Sequence, residues 1–313
     1  MRKQTVYIAL LALLAVGCSS DDETREATVP AEEPPVEQPA DAIVLLASMG
    51  SADVTRGSQD VQTAAFDEGE LVSVEVTPSG STMQASVYRA AAADEEHRNV
   101  LTAYSRAVTW PANNGSVGIR AYYPSTVTSS TATFSVQADQ SSDDNYKLSD
   151  LMYAEPVANQ AKAASVPLTF HHALSKVVVK LTAGSGADDA MLSHCAVAVK
   201  ACKTAALSGG VATPVADATA AADYGYIKIG TGAAVAGIIV PQTIDGSATA
   251  QPFVRVTIGE KHLYYKLRTR KAFEARKMYT YTLRVDLGEV ILLSAVVEDW
   301  NEVSRDLNFT EKP

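Results

Sequence analysis

The sequence predicts an all-β chain, arranged as two tandem sandwiches behind a targeting segment and an acidic tether. Three observations predict it. From residue 42 onward apolar residues recur with period two in short runs, broken by Gly, Pro, Ser and Asp, as in strands joined by tight turns. Only residues 90–101 and 187–192 are spaced to wind a few helical turns or one. The 313 residues, 47% apolar and 20% charged, hold material for two cores rather than one.

The N-terminal element, residues 1–17, reads as a signal peptide. Arg2 and Lys3 form a short basic region, residues 6–16 are almost wholly apolar, and Gly17-Cys18 closes the run with a small residue before cysteine. Leu14-Ala15-Val16-Gly17-Cys18 resembles a bacterial lipobox, with Ala15 where leucine is usual, which makes Cys18 the expected lipidation site and first residue of the mature chain. Residues 18–41 carry eight carboxylates against Arg25, together with Pro30, Pro34, Pro35 and Pro39, and should form an extended spacer. The formal net charge of −10 therefore sits mostly in the tether. No global basic field is left for a phosphate backbone, so no nucleic-acid partner is expected. After residue 20 no apolar run is long enough to span a bilayer as a helix.

The body divides near an alanine-rich stretch bracketed by Pro156 and Pro167, giving an N-terminal sandwich over residues 42–160 and a C-terminal one over 161–313. Residues 42–49 form a compact apolar first strand, and 71–76 alternate until Pro78. Residues 116–123 reach a strand end at Pro124. In the second half, 176–181 place Val177, Val179 and Leu181 on one face, and 238–240 stop at Pro241 because proline offers no ladder donor. Tyr279 and Tyr281 share a face, residues 290–297 are apolar on both faces, and Trp300 anchors the end of the second sandwich.

Chemistry-bearing constellations are absent from the pattern. His97, His171, His172, His194 and His262 have no helical zinc spacing, and the adjacent pair should point to opposite faces of a strand. On a single strand, Cys195 and Cys202 would also face opposite ways, leaving either two buried thiols or a bridge to another strand. Asp143-Asp144 and Asp188-Asp189 read as solvated turns, without the regular ligand spacing of a calcium loop. No serine elbow or phosphate-binding glycine loop is present. No catalytic residue, cofactor or metal is assigned, and the chain is not read as an enzyme.

Several segments, taken in order, carry a resemblance. They are Arg120-Ala121-Tyr122-Tyr123-Pro124, residues 134–140, Ser149-Asp150-Leu151-Met152-Tyr153-Ala154, residues 168–177, Ile238-Ile239-Val240-Pro241-Gln242-Thr243, residues 273–281 and Val297-Glu298-Asp299-Trp300. Behind a lipoprotein signal they resemble the fimbrillin family, the subunits of type V pili in Bacteroidota, over residues 42–302. His172 departs from the single histidine more usual there, as do the alanine-rich loops at 157–164 and 215–222. Ser19-Ser20-Asp21-Asp22-Glu23 is similar to the surface-export signal of lipoproteins in the same phylum.

The resemblance implies two transthyretin-like sandwiches and export to the surface of the outer membrane. It also implies cleavage by an arginine-specific protease, release of the first strand, and refilling of the vacated groove by a strand from another fimbrial subunit. Residues 42–56 would then be the releasable strand and its cleavage loop, cut between Arg56 and Gly57. The donor would be residues 290–297 or the tail 303–309. The alternative is a surface lipoprotein that binds a glycan or host ligand and never polymerises.

Overall fold

The computed structural model describes residues 38–50 and 65–300. Its first half contains β1 (Leu45–Met49), β2 (Leu71–Pro78), β3 (Gln84–Ala90), β4 (Asn99–Ala103), β5 (Val117–Tyr123) and β6 (Thr133–Ser135). After these come α1 (Asp143–Ser149), β7 (Met152–Ala154), β8 (Val157–Gln160) and β9 (Val166–His172). Pairing runs β2-β3-β4-β1-β9-β7-β5, with β8 added to β5. β5 also pairs back onto β2, from Ser73↔Tyr122 to Pro78↔Val117. The ladder therefore closes on itself, and one continuous sheet wraps the first core where two separate sheets were expected. Val72, Val74, Val76, Tyr88, Leu101, Ile119, Leu168 and Phe170 fill that core.

Two local expectations for this half are corrected. Residues 90–101, expected to be helical, end β3, form a turn and begin β4. Buried Asn99 overrides the alanine-rich pattern: its amide donates to the carbonyls of Phe66 (2.9 Å) and Ala91 (2.8 Å), and its oxygen accepts from the Phe66 N–H (2.8 Å). Asp143-Asp144, read as a turn, opens α1 instead. Ser142 caps that helix by accepting from the Asn145 N–H at 3.4 Å, and both carboxylates stand in the first turn, where they oppose the positive end of the helix dipole.

The second half contains β10 (Ser175–Ala183), α2 (Asp189–Ser193), β11 (Ala196–Ala201), β12 (Thr204–Ser208), β13 (Val211–Ala212) and β14 (Gly225–Thr231). It continues through β15 (Ala234–Ile239), β16 (Gln242–Asp245), β17 (Gln251–Ile258), β18 (Lys261–Leu267), β19 (Arg270–Phe273), β20 (Lys277–Asp286) and β21 (Glu289–Asp299). Two four-stranded sheets, β15-β10-β20-β21 and β14-β11-β17-β18, bury their inner faces in one apolar cluster. The Phe253 and Tyr281 rings meet across the interior with centroids 5.3 Å apart. Tyr279 and Tyr281 share the inward face, and β15 ends two residues before Pro241.

The all-β expectation holds, and the detail differs at three points. β9 lies beyond residue 160 yet belongs to the first ladder, because the alanine-rich stretch is β8 and a link between strands of one sheet. In the other direction β6 pairs with β12, and Phe134, Val136, Tyr146 and Leu151 pack into the second core. The third point concerns the thiols. Cys195 and Cys202 are both buried and unpaired. Cys195 shares the core-facing parity of Val197, Val199 and Ala201, but β11 ends at Ala201. Cys202 therefore lies past the single strand the count assumed and is buried where its N–H donates to Gln242 Oε1 at 2.8 Å. Burial, with Asp223 beside it at 3.0 Å, pushes the Cys202 thiol up to about 11.

Candidate functional site

The expected releasable strand is built into the closed ladder as its link between β4 and β9. β1 runs antiparallel to β4 (Leu45↔Leu101) and parallel to β9 from Leu45↔Val166 to Met49↔Phe170. Neither edge is free. Alternation does the rest: Ile43, Leu45 and Ala47 are buried, while Val44, Leu46 and Ser48 are partly covered. The segment is held beyond the strand as well. The Ile43 N–H donates to the Val108 carbonyl (2.8 Å), the Trp110 N–H to Asp41 (2.9 Å), and the Val166 N–H to Val44 (3.0 Å). The Tyr88 hydroxyl, pushed up to about 12 by burial, donates to the Ile43 carbonyl at 3.2 Å. Gln38 donates to the Ala103 carbonyl at 2.7 Å, so the last residues of the expected tether are already fastened to the fold.

Where β1 ends, it meets a joint that the sequence pattern did not reveal. The Gly50 N–H donates to the Phe170 carbonyl at 2.8 Å, and a Cβ at Gly50 would lie 2.1 Å from Cε1 of His171. Only glycine leaves room for that imidazole. His171 bonds Glu155 through Nε2 (3.0 Å) and Arg276 through Nδ1 (2.7 Å), so one ring touches the end of β1, the chain after β7 and the turn before β20. Burial, reinforced by the Arg276 charge and opposed by Glu155, holds its pKa below the ordinary histidine value. The neighbouring His172 faces elsewhere, as alternation requires. Its Nδ1 lies 2.8 Å from a buried Asp150 oxygen, and its ring stacks on Trp300 at 3.6 Å. Trp300 is buried and donates its backbone N–H to Arg276 at 2.7 Å, the anchoring role its position suggested.

β21 is the opposite kind of strand. It pairs along its whole length with β20, and among the described residues with no other strand. Leu292, Leu293, Val296 and Val297 are exposed. Val297 stands opposite inward-facing Tyr279, and Val296 opposite Thr280, so both faces of the strand carry uncovered apolar side chains. An open groove runs between its start and the edge strand β18, bordered by Leu263, Tyr265, Val290 and Leu292.

Cys18, Arg56 and Gly57, the expected lipidation and processing residues, lie outside the described residues, as does the alternative donor 303–309. Arg56 falls in the stretch 51–64 that joins Gly50 to the described chain. Among the described residues no three His, Cys, Asp or Glu side chains gather as metal ligands would.

Solved structures share this fold. A candidate cell-adhesion protein from Bacteroides uniformis superposes with a TM-score of 0.63 at 22% identity, covering 84% of this chain and 100% of its own. A second, from Bacteroides ovatus, gives a TM-score of 0.57 at 16% identity, with 85% and 99% covered. No curated protein matches the chain in sequence. A family model described as fimbrillin-like matches residues 55–300.

Proposed function

The chain belongs to the fimbrillin-like family, and from that membership we propose that it is a fimbrial subunit assembled on the cell surface by strand exchange. In this reading the chain is exported as a lipoprotein through Cys18 and held at the outer membrane. An arginine-specific protease then cuts between Arg56 and Gly57. The freed segment up to Arg56 leaves, and a strand from another fimbrial subunit takes its place. The fimbrium formed in this way serves adhesion.

The observation that carries the reading is the position of β1 within the closed ladder. Its removal would leave two facing edges, on β4 and β9, and the pockets vacated by Ile43, Leu45 and Ala47. That is the template β-augmentation requires: ladder donors and acceptors on both sides, with pockets for alternate side chains. An edge of this kind is an aggregation hazard when exposed, so carrying it covered until delivery is physically sensible. β21, apolar on both faces, has the chemistry of the incoming strand.

The test is limited digestion of the chain from Ser19 onward with an arginine-specific protease. The expected result is a new N-terminus at Gly57, loss of the preceding segment and ladders that survive SDS, with Arg56→Ala remaining monomeric. Cleavage at Arg56 that leaves a stable monomer would remove strand exchange from the account.

A further inference from the structure

We propose that the outer face of the β14-β11-β17-β18 sheet is a docking surface for an anionic polysaccharide chain, one bearing carboxylates or sulfates. The inference stands apart from strand exchange, which uses other strands.

The face is defined by register. Lys228, Ala198, Arg255 and Tyr264 stand directly opposite one another across the four strands. Beside them Lys200 opposes Tyr226, and Lys266 follows Tyr264 on the same side of β18. The Arg255 guanidinium lies 4.1 Å from the centroid of the Tyr226 ring. Lys200 Nζ lies 4.7 Å from the Tyr224 ring and 6.0 Å from Tyr226. Tyr226 and Tyr264 bracket the middle of the face with centroids 6.4 Å apart, and Ala198 forms its floor.

Charge makes this face unusual in a chain of net −10. Among the described residues, carboxylates pair Lys228 with Asp139 at 3.2 Å but form no ion pair with Lys200, Arg255 or Lys266. The Arg255 Nε is buried without a hydrogen-bond partner. Two cations thus approach the Tyr226 ring, with the Tyr224 and Tyr226 quadrupoles and no paired carboxylate to offset their repulsion, an arrangement that an incoming anion relieves.

The same face identifies the occupant. Tyrosine rings offer stacking area and hydroxyls together, and Thr257 with His262 adds polar groups at one end, 3.0 Å apart. Three inter-strand gaps of about 4.8 Å make the platform roughly 14 Å wide, room for several sugar rings laid across the strands. Apart from Tyr264, the exposed large apolar side chains lie on other strands, loops and the two short helices, so the face lacks the wedges a membrane surface or an apolar-anchored peptide would use.

The experiment is calorimetric titration of the uncleaved chain at physiological ionic strength with heparin, polygalacturonate, neutral dextran and phosphatidylglycerol vesicles. Heparin or polygalacturonate should bind, and dextran should not. Lys200→Gln with Arg255→Gln should weaken binding about tenfold, from the loss of two charge-assisted contacts. Tyr264→Ala, which leaves the charge unchanged, should weaken it about threefold through lost stacking. Thermal melts matching the parent would show that each variant folds. Failure of both polyanions to bind, equal binding of dextran, tighter binding of vesicles, or indifference to either variant would each overturn the proposal. Arg56→Ala should bind as the parent does, so loss of assembly and loss of binding are separable.

Discussion

β1 and β21 are both apolar strands, and the fold treats them in opposite ways. The first is five residues long, paired on both edges, with alternate side chains sealed in a core. The second is eleven residues long, paired on one edge, with leucines and valines uncovered on both faces. Apolar content alone does not decide burial; position in the ladder does. A protein that only had to be stable would gain nothing by leaving Leu293 52% exposed. The proposed strand exchange would use this contrast, with β1 as the strand that leaves and β21 as the one received elsewhere.

The sharpest way to break the contrast is to truncate both strands. Leu45→Ala should cost about 2–5 kcal/mol, the usual price of a cavity in a closed core. Leu293→Ala should stay within about 0.5 kcal/mol. Urea midpoints at unchanged slope would measure both, and equal losses would erase the distinction between the strands.

A smaller effect is expected at the joint after β1. Gly50→Ala forces a methyl into the His171 ring and should cost about 1–3 kcal/mol, with hydrogen exchange rising at the β1 amides. His171→Ala in the same chain should recover part of that loss, since the clash is with its ring. Additive penalties would show that the two residues are not coupled.

Acidification should have the smallest effect. His171 is held neutral below its ordinary pKa by burial and by Arg276, against the pull of Glu155, with His172 alongside. The unfolded chain therefore takes up a proton first as pH falls through about 6.5. Stability is full above that value and declines until the folded pKa is passed. Urea midpoints at pH 7.5 and 5.5 should show the drop, and His171→Gln should reduce it; an identical drop in the variant would assign it to other groups.

Much of the fold was legible in the sequence because period two is a local signal. It located most strands, the shared face of Tyr279 and Tyr281, the stop at Pro241, the anchor at Trp300 and the two apolar faces of residues 290–297. What escaped depends on partners far along the chain. Nothing local says that β5 returns to β2, that β1 lies parallel to β9, or that Asn99 holds an alanine-rich run in the turn between β3 and β4. β11 ends at Ala201, one residue before Cys202, so the cysteine count along one strand does not apply, and no period in the sequence marks that end. The joint at Gly50 was equally hidden, since a glycine opening a loop looks the same whether or not a histidine fills the place of its side chain.

Closure of the first ladder has a consequence for the order of events in folding. Leu45 meets Leu101 on one side and Val166 on the other, so the earliest part of the body to be synthesised is completed only by strands made much later. Loop-closure entropy sets that delay: local hairpins such as β2–β3 can pair at once, whereas the parallel β1–β9 contact waits for a long intervening chain. Until β9 is in place the seat beside it stays vacant, and any strand of suitable pattern can compete for it. Self-occupancy then prevails through tethering, because a segment on the same chain is present at a far higher effective concentration than a segment on another. Cutting the tether would abolish that advantage without altering a single contact in the seat.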